Sequence, residues 1–203
     1  MKSLILSLTF CVVAIGATAQ ESITFLTFVG HTFADKFQTQ YGYGRINEGL
    51  QWGAGLEVEV QPNTAVELIY QRLDATAYYD GFNDRFNGAI AVNYILLGGT
   101  QYHPFNDVVS GFGTFDMGAA FTSNVDETLS TGNVTKFALG GRLGVRIAPN
   151  DKISLRIHAQ LLSPVQWFGG GFYFGSGGGG STVTTGSTIF QFNLGGSVNY
   201  RIK

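Results

Sequence analysis

Cysteine is the first scarcity: the chain of 203 residues has one, Cys11. It sits in MKSLILSLTFCVVAIGATAQ, where Lys2 supplies a positive start, residues 4–15 an apolar run, and Ala17 and Ala19 a small-residue cleavage pattern. That is the form of a secretory signal peptide. Residues 1–19 are expected to be removed, leaving residues 20–203 as one domain. Phe10 stands before Cys11 where a lipid-attachment signal needs a small residue, so the mature chain has no thiol, and disulfide and thiolate chemistry are excluded. Charge is scarce as well. Charged residues are 13% of the chain, against about 25% in soluble domains, and a net charge of −2 offers no field for nucleic acid. After the signal no apolar run approaches the ~18 residues of a membrane helix. His31, His103 and His158 lie far apart, so neither a metal centre nor a cofactor is expected.

Glycine and alternation are abundant instead, with 29 glycines scattered through period-two segments. Three long segment pairs are joined by short turns: 49–60 and 65–77 by QPNT, 87–103 and 110–122 by PFND, and 136–147 and 152–162 by APND. Proline at the second position of QPNT, with Asn63 next, predicts a type I turn. With residues 190–202 and a first strand at 23–33 the count is eight. Longer connections at 34–48, 78–86, 123–135 and 163–188 alternate strictly with the short ones. The fold class expected is all-β, an eight-stranded antiparallel up-and-down transmembrane β-barrel with short periplasmic turns and long outer loops. The ~40-residue spacing of the turn prolines also fits a propeller blade, but each unit offers two long strands where a blade needs four short ones.

Parity says which face meets lipid. Phe190, Phe192, Leu194, Val198, Tyr200 and Ile202 share one face, as do Ile153, Leu155, Ile157 and Leu161. Their opposite faces are rich in Gly, Ala, Ser and Asn, which suits a crowded lumen better than a water surface. A secreted lipocalin-like barrel or a sandwich is the alternative reading. Strand-end aromatics Tyr70, Tyr102, Phe121, Trp167, Phe190 and Tyr200 are expected at the membrane interfaces.

The stretches GLEVEVQPNTAVELIYQR, GGTQYHPFN, GFGTFDMGAAF, LGGRLGVRI and GGSVNYRIK resemble small bacterial outer-membrane β-barrels of the outer membrane protein A and X type, in the outer membrane protein β-barrel domain family. The resemblance spans the mature chain. It implies the bacterial outer membrane, contact with its lipid, and a closing strand read by the barrel-assembly machinery. Tyr200 and Ile202 would carry that signal, although many relatives end in Phe. Family roles range from structural and adhesive to small-solute passage.

Catalytic constellations are missing. No histidine opens the H-x-S pattern of lipid-modifying barrels, and GFGTFD precedes no helix, so no enzyme is expected. Charges are more informative. Glu57, Glu59 and Glu67 face inward by parity, as do Asp116, Arg142, Arg146 and Arg156. In an eight-strand ring the second strand opposes the sixth and the third the seventh, so acid meets base across the lumen. Comparable depths favour Glu57 with Arg156, and Asp116 is a further partner for Arg142. The last long connection carries Trp167, Phe168, Phe172, Tyr173 and Phe174 beside SGGGGS, a candidate surface patch for an unidentified ligand. Together these features point to a structural or surface-interaction barrel with a largely plugged polar lumen. The alternative is a narrow, porin-like channel for small or apolar solutes.

Overall fold

The computed structural model describes residues 22–39, 42–81, 85–124, 135–165 and 190–202. The cleavage site and the aromatics Trp167, Phe168, Phe172, Tyr173 and Phe174 lie outside them. Ten strands follow in chain order: β1 (Ile23–Thr32), β2 (Asp35–Thr39), β3 (Gly42–Ile46), β4 (Gly49–Gln61), β5 (Thr64–Gly81), β6 (Arg85–Pro104), β7 (Val109–Asn124), β8 (Thr135–Ile147), β9 (Ile153–Val165) and β10 (Gln191–Arg201). Eight of them close an antiparallel ring, running β1, β4, β5, β6, β7, β8, β9, β10 and back to β1.

β2 and β3 are extensions of existing strands. The pair Asp35↔Ile46 keeps the register of Thr32↔Gly49, so β2 prolongs β1. β3 prolongs β4 along β5 after a one-residue shift between Leu50↔Asp74 and Ile46↔Ala77. Residues 34–48, expected as a loop, are therefore mostly a hairpin. Residues 78–86 also differ from expectation, because β5 and β6 stay paired as far as Asp80↔Arg85. Neither 34–48 nor 78–86 carries the strict apolar–polar alternation that reveals a strand.

One ladder walked around the ring passes from Arg201 to Thr24, Glu57, Glu67, Gly98, Asp116, Gly140 and Leu162, and regains β10 at Gln191, ten residues from its start. This stagger tilts the strands by about 35–45°. The short turns are held locally. Asn63 has φ of 63°, which a type I turn forbids and the second central position of a type II turn requires. The Asn106 carboxamide oxygen accepts from the Val108 and Val109 amides at 2.9 and 2.8 Å, and Asn150 serves Lys152 and Ile153 at 3.0 and 2.8 Å.

The outer wall is apolar. Phe192, Leu194, Val198, Tyr200, Leu155, Ile157, Leu68, Leu97 and Leu143 are exposed, while Gln191, Asn193, Ser197 and Asn199 are buried inside. Toward the end opposite the short turns the wall becomes amphipathic. The Trp52 indole donates to Asp74 at 3.0 Å, Arg72 also holds Asp74 at 2.8 Å, and the Tyr70 hydroxyl donates to Asn93 at 2.7 Å.

The interior is more apolar than the small-residue expectation. Leu26, Phe28, Ile69, Leu73, Tyr94, Leu96 and Leu162 are buried in one cluster with Ile46, Ala77, Ile90 and Val92. Lipid and lumen both accept apolar groups on β5 and β6, so neither face of those strands reads as polar.

The ring closes between β1 and β10, where Gly30 opposes Gly195. A Cβ on Gly30 would lie 2.9 Å from the Gly195 Cα, so the chain ends approach only because both residues lack one. Mid-seam, the Thr27 hydroxyl bonds the Val198 carbonyl at 2.8 Å and accepts its amide at 3.2 Å.

Candidate functional site: the charged half of the lumen

Even positions of β7, β8 and β9 and odd positions of β4 and β5 point inward, and this gathers three carboxylates and two guanidiniums in the closed interior. Glu57, Glu67, Asp116, Arg142 and Arg156 are all buried. A charge so placed is tolerated only with partners. Arg156 donates through Nη2 to Glu57 at 2.8 and 2.7 Å, and its Nη1 is 3.8 Å from Glu67. Arg142 pairs with Glu67 and reaches Asp116 Oδ1 at 3.4 Å. Gly98 and Gly140 flank Asp116, and a Cβ on Gly98 would run into its carboxylate. The small neighbours make the room that the ion cluster occupies.

Glu57 with Arg156 and Asp116 with Arg142 pair as the sequence leads one to expect, whereas strand opposition alone would set Glu67 against the seventh strand and Glu57 against the sixth. Glu67 meets Arg142 and only distantly Arg156, while Glu57 meets Arg156. The ten-residue stagger lifts each successive strand, so the partner at equal height lies on a different stave from the one directly opposite. Glu59 does not join the cluster. It sits at the mouth, accepting from the Ser22 hydroxyl at 3.0 Å and lying 3.9 Å from Arg201. Arg146 is also at the mouth, with no carboxylate partner among the described residues.

Tyr102 is the main correction. Expected in the outer aromatic belt, it is buried in the lumen. Its hydroxyl donates to Glu57 at 2.7 Å and touches Arg156. Its ring lies between two guanidiniums, Arg146 at 5.0 Å and Arg156 at 5.3 Å from the centroid. Phe112 receives Arg156 at 5.3 Å, and Phe28 receives Arg142 at 5.0 Å. Aromatic faces thus supply part of the negative environment that the arginines need.

A second polar layer went unremarked in the sequence. Asn193 donates to Thr32 at 3.1 Å, Thr32 to Gln51 at 2.8 Å, Gln51 to Gln71 at 2.9 Å, and Gln160 to the same Gln71 oxygen at 3.0 Å. Tyr94 donates to Gln191 at 2.7 Å. Their inward parity was the available signal, since long amides on a lumen face have only one another to bond. His158 lies beside Phe28, edge to face with ring centroids 6.2 Å apart. Among the described residues no group of His, Cys, Asp and Glu has the form of a metal site.

No family model and no curated protein matches the chain. Solved structures do. The crystal structure of Neisserial surface protein A superposes with a TM-score of 0.61 at 12% identity, over 89% of this chain and 97% of that one. The outer membrane protein OprG from Pseudomonas aeruginosa gives 0.57 at 13% identity, over 90% and 97%. The fold is that of a small bacterial outer-membrane β-barrel. An outer-membrane barrel puts its apolar wall in lipid, which accounts for a surface that would be a liability in water. Tyr200 and Ile202 lie on that wall. The charge cluster of this outer-membrane barrel sits inside, toward the short turns.

Proposed function

We propose that the protein is a non-enzymatic outer-membrane barrel whose lumen is closed to ions by its own side chains, and which acts at the surface through its extended hairpins and outer loops. The carrying observation is the Tyr102–Glu57–Arg156 and Glu67–Arg142–Asp116 packing, with the amide layer and the apolar cluster beyond it. A charged cross-section bonded to itself leaves no hydrated path for a free ion, and Neisserial surface protein A, similar in fold, carries a surface role in its name. The aromatics Trp167, Phe168, Phe172, Tyr173 and Phe174 would supply the outward patch, and Tyr200 and Ile202 the signal for the barrel-assembly machinery.

The test is single-channel conductance of the refolded protein in planar bilayers. Wild type should conduct little. Glu57→Gln should raise conductance and lower stability by about 3–5 kcal/mol, since it leaves the Arg156 guanidinium only the distant Glu67. Adding Arg156→Gln should restore part of that stability. Additive single changes with flat conductance would remove the plug.

A narrow channel is the second reading, and one observation favours it. Asp116 Oδ2, Arg142 Nε, His158 Nδ1, Ser197 Oγ and Asn199 Oδ1 are buried without a hydrogen-bond partner among the described residues. Such groups call for water, and a connected water file would conduct. A large wild-type conductance selects this reading.

A further inference from the structure

At the short-turn mouth, below the Tyr102 ring, lies a cavity of about 220 Å³. At about 30 Å³ per water it has room for roughly seven, the volume of a very small organic molecule. Its lining is polar and two-signed: Arg146 and Arg201 stand among Glu59, Asp107 and Asp151, with Asn106 and Asn150 from the turns.

Arg146 sets the site apart. It is the direct cross-strand partner of Arg156, a like-charge pairing that is unfavourable unless each cation is compensated. Arg156 is compensated by Glu57 and Glu67. Arg146 has the face of Tyr102 and no carboxylate, and its buried Nε is without a partner. Arg201 already leans toward Glu59. The oxygens of Asn106 and Asn150 are engaged by turn amides, so their carboxamide nitrogens remain as donors. Asp107 and Asp151 are exposed at the rim and have no side-chain partner among the described residues. A cation lacking its anion on the floor and acids lacking a cation at the rim call for one molecule that carries both charges.

We propose that this cavity binds a small zwitterion, its carboxylate on Arg146 and its ammonium on Asp107 and Asp151 at the rim.

The experiment is titration calorimetry of the mature protein in detergent micelles with glycylglycine, and with two probes that each lack one charge, N-acetylglycylglycine and glycylglycinamide. Glycylglycine should bind saturably at one site in the millimolar range, and each blocked probe about tenfold more weakly. Arg146→Gln should abolish binding while heat-modified gel mobility confirms folding. Should that variant not fold, Asp107→Asn, in an exposed turn, should weaken glycylglycine severalfold and leave N-acetylglycylglycine unchanged. No saturable binding to wild type, equal binding by folded Arg146→Gln, or an Asp107→Asn effect shared by both probes would overturn the proposal. So would blocked probes as tight as glycylglycine.

Discussion

Near the short turns the lumen is filled by Glu57, Glu67, Asp116, Arg142 and Arg156 around the rings of Tyr102 and Phe112, a small apolar group set apart from the main cluster. Toward the other end the same cylinder is filled by Leu73, Ile90, Val92, Ala120, Ala138 and Leu162, with Gln51, Gln71 and Gln160 between. The two fillings fail differently. An ion cluster holds its shape only while its charges are matched, so losing one member recruits water. An apolar layer that loses a methyl leaves a cavity, which a dry site keeps empty. On the proposed plug, closure against ions would rest on matched charges in the charged half and on packing alone in the apolar half, so one chemical change should open only the charged half.

That contrast can be broken by substitution. The largest effect is expected for Glu67→Gln, which leaves Arg142, the largest of the fully buried side chains, with only Asp116 at 3.4 Å. Urea unfolding from lipid vesicles should register a loss of about 3–5 kcal/mol, recovered only in part when Arg142→Met removes the undercompensated cation, because Asp116 then loses its partner. Next comes Leu73→Ala in the apolar half, at about 3 kcal/mol, with conductance unchanged. A conductance rise there would erase the distinction between the halves. The smallest is Gln51→Leu, which deprives Thr32 and Gln71 of a partner and should cost about 1–2 kcal/mol. If it cost as much as Glu67→Gln, the amide layer would belong with the ions.

The barrel itself was legible because lipid imposes a sharp rule: Phe192, Leu194 and Val198 alternate with Asn193 and Ser197, and no soluble fold needs that pattern with so little charge. The inward placement of the acids and arginines followed from the same parity. Comparable depth also gave Glu57 with Arg156, and Asp116 was expected beside Arg142; Glu67 with Arg142 was not, because shear belongs to the closed ring and no single strand encodes it. Tyr102 was misplaced because β6 carries Ile95 and Leu97 on one face and Tyr94 and Leu96 on the other. Alternation was mute there, and the preference of strand-end aromatics for interfaces decided wrongly. The hidden signal was its hydroxyl, which in a lumen could bond Glu57. The extension through β2 and β3 was missed because DKFQT and GYGRI lack the strict apolar–polar alternation of the other strands.

The seam between β1 and β10 also sets an order of events. Every other adjacent pair in the ring joins segments that follow one another along the chain, whereas Thr27 and Val198 are 171 residues apart. Loop-closure entropy is greatest for that pairing, and contacts of such separation form slowly. The seven other ladders can zip as successive hairpins, so the seam closes last. Until Gly30 meets Gly195, β1 and β10 both present unpaired edges, and in that interval the chain is open to joining another sheet. A side chain at Gly30 or Gly195 should therefore lengthen the interval in which the half-made barrel is exposed.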